Sequence, residues 1–444
     1  MSYLRSREAR TFLAVALLTC AAVACSGRSL SPAPIPEHAP GVVDVCAGQT
    51  PPPTSAPSAA DLQTTAMKAP IRGLIDLGQV SAVNMPEPPY NTLYYVCKRQ
   101  PSIAGIVVND TWEHMQPNRG QSIDTTTVDA ALSAIAAYNR KPGRSLGVRL
   151  RVWTGIDAPP WAKSIGGVPI QICDQNAVPA SAPVRPAASP TPCPAVAIRT
   201  VGRFWSIPYE RAWRRFESRL AHAYDGNARI DEVSLSSCSS LTSEPFVQPE
   251  DSYSKARLIA AGYTDAKYRA CLLHAVELDF VPYWHQTLVD FSFNPFRKIE
   301  ATPPESDLAF TKTAIRECRS VAGSRCVLLN ETMGKFTPPP SPNPSQTPSQ
   351  AAVYYAMYTY MKQQGGSIAF QTAAPPNLLL AWQSNLAGWN NAVSLASSFG
   401  ASSLELFPPE RAGVPCRDAP VRLWVSGYTC FYPKVMAGWS KQIP

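Results

Sequence analysis

Eight short apolar runs alternating with helical patterns leave this chain few folds to choose from. The runs are IRGLIDLGQ (71–79), AGIVVND (104–110), LGVRLRVWTG (146–155), DEVSLSSC (231–238), TLVDFSFNP (287–295), RCVLLNE (325–331), GSIAFQT (366–372) and ASSLELF (401–407). Helical patterns fall between them at 90–98, 125–140, 209–224, 264–280, 307–323, 351–364 and 377–400. In the second of these, Thr residues are placed to cap the start, and Val128, Leu132, Ile135 and Ala136 share one face. Strand and helix in strict turn read as βα units that feed a parallel sheet. Eight such units predict an α/β fold of the (β/α)8 TIM-barrel type, with a doubly wound open sheet as the alternative. The alternative wants a Gly-rich nucleotide-binding turn after its first strand, and IRGLIDLGQ offers none.

The chain has 444 residues, of which residues 69–444 are expected to form the barrel. Ahead of it, Arg5, Arg7 and Arg10 precede the uncharged stretch TFLAVALLTCAAVAC (11–25), too short to span a bilayer and flanked by basic residues as an export signal is. Ala22-Val23-Ala24-Cys25 resembles the bacterial lipoprotein signal box, which makes Cys25 the expected lipidation site, with ordinary signal cleavage nearby as the alternative. Residues 26–68 are rich in Pro, Ala and Ser and read as a tether between anchor and barrel. The expected location is therefore the cell envelope, as a lipoprotein, or the medium, with a lipid anchor as the only membrane attachment.

Loss of residues 1–24 removes three Arg and one Glu, so the formal charge of +8 falls to +6. Those charges are spread along the chain with no basic run of five or more residues, which argues against nucleic acid as a partner. Ten of the 12 cysteines lie beyond the signal. An even number in an exported chain predicts disulfides, and short loops favour Cys173 with Cys193, Cys318 with Cys326 and Cys416 with Cys430. Cys46 with Cys97 and Cys238 with Cys271 complete the set. None of the cysteines has CxxC spacing and the five histidines show no HExxH, so neither a metal nor another cofactor is expected.

Two excursions, residues 155–206 and 332–348, are Pro-rich and follow strands, which places them on the C-terminal face where barrels of this kind carry their sites. The polar residues at strand ends are Glu113, Asp157, Glu244, Asn294, Asn330, Glu331, Gln371 and Glu405. In SSLELF, Glu405 alternates with Leu404 and Leu406. If the leucines face helices, Glu405 points into the barrel, either as a general acid or as a structural carboxylate held by Arg149 or Arg151. Glycosidic cleavage needs two carboxyl groups, one to protonate the leaving oxygen and one to attack the sugar or activate water. Glu244 and Glu405 are the expected pair, with Glu331 as the replacement for either. Trp112, Trp153, Trp161, Trp205, Phe246, Trp284 and Phe407 fall near the same ends, and flat rings suit the C–H faces of a sugar, although core packing is the commoner use of any one of them.

The segments VVNDTWEHMQPNRGQSID, VDAALSAIAAYN and LRVWTGIDAPPW resemble the (β/α)8 glycoside hydrolases of the β-galactosidase and cellulase type, as a divergent member. Trp112, Gln116, Pro117, Gly120, Asp124, Gly155, Ala158, Pro159 and Trp161 carry the likeness, with weaker matches at FWSIPYERAWRRF, SSLTSEPF and GASSLELF. The resemblance implies an acid/base Glu after the fourth strand, matched by Glu244 with Ser243 where Asn is usual. It also implies a nucleophilic Glu ending the seventh strand, where this chain has Gln371. An amide cannot act as nucleophile. The expectation is thus an exported glycoside hydrolase acting on an oligo- or polysaccharide, with a catalytically silent carbohydrate-binding barrel as the alternative. Trp112, Gln116, Trp153, Trp161, Trp205, Asn294, Asn330, Gln371 and Phe407 are the expected sugar contacts.

Overall fold

The computed structural model describes residues 66–77, 102–140, 142–174, 193–245, 251–336, 349–374, 378, 385–407 and 433–443. The export signal, nearly all of the tether, the helical pattern at 90–98, Phe246, and the pairs Cys46 with Cys97 and Cys416 with Cys430 lie outside the described residues.

The eight apolar runs are eight strands: β1 (Gly73–Asp76), β2 (Ile103–Thr111), β3 (Gly147–Trp153), β4 (Ile230–Ser234), β5 (Leu288–Phe293), β6 (Cys326–Met333), β7 (Ile368–Thr372) and β8 (Ser403–Leu406). They close into one barrel, each paired in parallel with its sequence neighbours and β8 with β1. Such a sheet needs helices on its outside, and they are supplied by α1 (Thr126–Asn139), α2 (Ile207–Tyr224), α3 (Asp265–His274), α4 (Leu308–Ala322), α5 (Gln350–Gln363) and α6 (Asn385–Ser398). The predicted helix at 264–280 is α3 continued by a π-helical turn, Ala275–Phe280. A last helix, α7 (Pro433–Ser440), adds Met436 and Trp439 to the outer core.

Strand alternation decides what fills the barrel. Leu74, Val148, Leu150, Val233, Phe291, Leu328, Phe370 and Leu404 join the core shared with the helices. Burying each such side chain stabilises the fold by about 1.5–3 kcal/mol. The residues between them point inward and form two small apolar groups, Ile71, Ile75, Leu77 and Val107 on one side, and Leu288, Val327, Leu329 and Ala369 on the other. Arg149, Arg151, Glu232, Asp290 and Glu405, all buried, occupy other inward positions.

The floor of the barrel is covered by the segment leading into β1. Ile71 N–H donates to Glu232 Oε1 at 2.8 Å, and Lys68 Nζ donates to Thr287 Oγ1 at 2.7 Å. Gly105 and Gly147 make room for it, because a Cβ on either would come within 3 Å of the Ile71 side chain.

The described residues of the excursion at 155–206 include regular elements. They hold a short helix, Pro160–Lys163, and an antiparallel hairpin of Ile170–Cys173 with Ile198–Val201. The Cys173–Cys193 disulfide closes that hairpin, Cys318–Cys326 ties α4 to β6, and Cys238–Cys271 ties the loop after β4 to α3.

Candidate active site

The C-terminal rim brings three strand ends together through one hydrogen-bond network. On β6, Val327 and Leu329 point inward, so Glu331 follows them to the inside of the barrel. There the β6–β7 register breaks: Asn330 pairs with Phe370 and Met333 with Thr372, leaving Glu331 and Thr332 opposite Gln371 alone. This is a β-bulge, a device that re-aims side chains at barrel rims. Glu331 is 5% exposed, and neither of its carboxyl oxygens has a hydrogen-bond partner.

Glu244 arrives on the loop that leaves β4, and that loop is pinned at four places. Leu235 N–H donates to Asp290 O at 2.9 Å, Thr154 Oγ1 to Ser236 O at 2.7 Å, Ile156 N–H to Ser240 O at 2.9 Å and Tyr268 OH to Pro245 O at 2.7 Å. Gly155 is what lets the β3 and β4 loops touch. Its φ is +61°, and a Cβ there would sit 2.2 Å from Ser240 O.

At the end of this loop Glu244 is half-buried, and Asn294 Nδ2 donates to its Oε2 at 3.4 Å. Asn294 Oδ1 in turn meets Asn330 Nδ2 at 3.0 Å, Thr332 Oγ1 at 3.2 Å and Tyr354 OH at 3.3 Å. Asn330 and Thr332 flank Glu331 in the chain, so the network links the loop of Glu244 to the bulge of Glu331.

Glu405 points inward, as the alternation of SSLELF implies, but it is 0% exposed and does not open on the mouth. Closure of the barrel sets its depth, level with Ile75 and Gln371. Its Oε1 accepts from Arg149 Nη1 and, at 2.9 Å, from Arg151 Nη2, while its Oε2 has no hydrogen-bond partner. Arg149 also donates to Glu232, and Arg151 lies 3.4 Å from Asp290. Burial opposes the charge on Arg149, yet Glu232, Asp290 and Glu405 outweigh it and hold the guanidinium above its ordinary range.

The expected sugar contacts divide by place. Trp153 stands on the inner side of β3 at the rim, 9% exposed, with Nε1 donating to Asn109 Oδ1 at 3.0 Å. Gln371 is buried opposite the bulge, and Phe407 is half-buried on the inner cluster. Asn294 and Asn330 are in the network rather than on an open wall.

Trp112 is elsewhere. It is 0% exposed, packed edge-on against Trp161, Tyr209 and Trp213 at centroid distances of 5.4, 5.6 and 5.2 Å. Gln116 accepts from Trp112 Nε1 at 3.2 Å and, through its carbonyl, from Trp161 Nε1 at 3.1 Å. The residues that carry the glycosidase resemblance thus form the joint between the β2 and β3 loops. Trp205 is likewise buried, edge-on to Phe204 and Tyr263, and Trp284 donates to Glu217 Oε1.

Glu113 is exposed on a short helix with Lys163 at 4.0 Å. Asp157 is pushed up to about 6 by burial, partly offset by Lys163. Among the described residues, no group of three or more His, Cys, Asp and Glu is placed to hold a metal.

Thr332, Tyr354, Tyr358, Glu232 and Asp290 are absent from the expected set. The last two carry the same signal as Glu405, a carboxylate alternating with apolar residues inside a strand run. The others carry none, because their contacts join strand ends to the helix between β6 and β7.

No protein-family model matches this sequence, and no curated protein matches it. Similar solved structures include the catalytic domain of β-amylase from Paenibacillus polymyxa, at 10% identity and a TM-score of 0.46, covering 75% of this chain and 91% of that one. Endo-glycoceramidase II from Rhodococcus sp. is similar at 13% identity and a TM-score of 0.41, covering 77% and 75%. A further structure described as a glycoside hydrolase is similar at 11% identity and a TM-score of 0.41, covering 76% and 88%.

Proposed function

We propose that this chain is an exported glycoside hydrolase whose working carboxyl groups are Glu244 and Glu331. The observation that carries the reading is Glu331: a carboxyl buried at the inner rim, re-aimed by a bulge, with both oxygens unpartnered. Leaving a buried polar group unsatisfied costs about 1–3 kcal/mol, and more when it is charged. A sugar supplies what Glu331 lacks, hydroxyl donors in the bound state and a positive anomeric centre in the transition state. In this reading Glu331 attacks that centre or activates water against it, and Glu244 protonates the leaving oxygen. Glu405 is a structural carboxylate held by Arg149 and Arg151. Trp153, Gln371 and Phe407 line the sugar's approach.

Export, with a lipid anchor on Cys25, is proposed from the leader sequence and is supported by three disulfides among the described residues. The test of activity is a hydrolysis screen of the full chain against oligosaccharides, polysaccharides and aryl glycosides. Cleavage that is abolished in both Glu244→Gln and Glu331→Gln is expected. Cleavage that survives both substitutions contradicts the assignment.

Gln371 favours a second reading, a barrel that binds glycans without cleaving them, because an amide stands where the resemblance implies the nucleophile. That reading predicts glycan affinity with no turnover on the same panel, and robust hydrolysis rules it out.

A further inference from the structure

We infer that Asn294 is a positioning residue for Glu244, presenting an N–H to Glu244 Oε2 so that the transferable proton sits on Oε1. This rests on the reading of Glu244 as the proton donor.

A side-chain amide can be turned either way by its neighbours, and its partners decide which end faces which. Asn330 has no such freedom. Its Nδ2 lies 2.8 Å from the backbone carbonyl of Phe293, which only accepts, and its Oδ1 lies 3.1 Å from the backbone N–H of Thr332, which only donates. Tyr358 OH donates to the same Oδ1 at 3.0 Å.

With Asn330 fixed, its Nδ2 also reaches Asn294 at 3.0 Å, and the atom it meets must be the oxygen. Thr332 and Tyr354 hydroxyls stand on that side as well. The other end of Asn294, facing Glu244, is therefore the NH2 group. Two backbone groups on β5 and β6 thus determine, through two amides, that a donor and not an acceptor meets Glu244. A carboxyl whose Oε2 receives an N–H keeps its own proton on Oε1. The 3.4 Å separation is long for such a bond, as acid/base contacts often are before substrate draws the site together.

Replacing Asn294 by Asp tests this closely, because Asp keeps an oxygen for Asn330 and turns an acceptor toward Glu244. Full-length Asn294→Asp and Glu244→Gln are compared with the unaltered chain on phenyl and 2,4-dinitrophenyl glycosides of gluco- and galacto-configured disaccharides. Phenol needs a proton to leave, whereas dinitrophenolate does not. For Asn294→Asp, kcat/KM on the phenyl substrate is expected to fall about 10- to 100-fold, less than the roughly 10²- to 10⁴-fold of general acid catalysis as a whole because the acid itself is kept. The loss on the dinitrophenyl substrate is expected to be at least about 10-fold smaller, the same ordering that Glu244→Gln shows.

Equal losses on the two substrates in a folded Asn294→Asp protein overturn the proposal. If Asn294→Asp does not fold, Asn294→Ala, which removes the N–H from Glu244 Oε2, takes its place with the same ordering expected and the same equality overturning it. Leaving-group dependence in Glu244→Gln without it in the Asn294 variant overturns the positioning role alone. No cleavage by the unaltered chain of these substrates or of the wider oligosaccharide, polysaccharide and aryl glycoside panel overturns both that role and the glycosidase reading.

Discussion

Arg151 Nη2 lies 2.9 Å from Glu405 Oε1, with both side chains sealed inside the barrel. The pair belongs to a set of two guanidinium and three carboxylate groups that also holds Arg149, Glu232 and Asp290. Groups so placed are retained only because each answers another, and breaking such a set by removing one partner costs about 3–5 kcal/mol.

Arg149→Met is accordingly expected to destabilise the fold by about 3–5 kcal/mol, since it leaves three carboxylates against one guanidinium. Glu405→Gln leaves two of each sign and is expected to cost less. Denaturant unfolding of the two variants checks the order. A Glu405→Gln protein that folds but has lost all hydrolysis contradicts the structural role given to Glu405.

Gly155→Ala should damage the site without touching it. A left-handed backbone costs a residue with a Cβ about 1–2 kcal/mol, and here the added carbon also meets Ser240 O at 2.2 Å. Loss of at least about 1–2 kcal/mol of stability is expected, with chemical-shift changes in residues 239–245. Shifts confined to the neighbours of Gly155 in the chain contradict the account.

Stability should fall as pH rises from about 4.5 to about 8. Burial pushes the Glu217 carboxyl from its ordinary 4.5 up to about 8, with the Trp284 N–H pulling it down and Asp279 adding to the rise. Asp231 is pushed to about 7, chiefly by burial. For a carboxyl raised in the folded state, the native protein binds the proton that the unfolded chain has released. Its contribution is therefore complete below about 4.5 and is lost as pH rises through about 8. Thermal melts between pH 5 and pH 9 should show the decline, and Glu217→Gln should flatten its upper part. An identical slope in the variant contradicts this origin.

The barrel was legible in the sequence because each strand had to be apolar on its outer face, and the eight runs recur at βα spacing. The hairpin within residues 155–206 was not, since its strands, IQIC and IRTV, are too short to stand out from a proline-rich excursion. Alternation told that Glu405 points inward but not how deep. Depth follows from closure, which brings Arg149 and Arg151 from β3 to a residue of β8, and nothing local to SSLELF records that.

Trp112 sits at a strand end in the sequence, yet it is buried by rings that α2 delivers from about a hundred residues away. Glu331 was visible as a carboxylate at a strand end. The bulge that strips it of partners arises from the β6–β7 register, a relation between two runs rather than a property of either.

Whether Glu331 is a reacting carboxyl is decided by steady-state hydrolysis with Glu331→Gln. On any glycan that the full chain cleaves, kcat is predicted to fall by at least about 10²- to 10⁴-fold with the protein still folded. A folded Glu331→Gln protein that cleaves the same glycan at the unaltered rate contradicts the account.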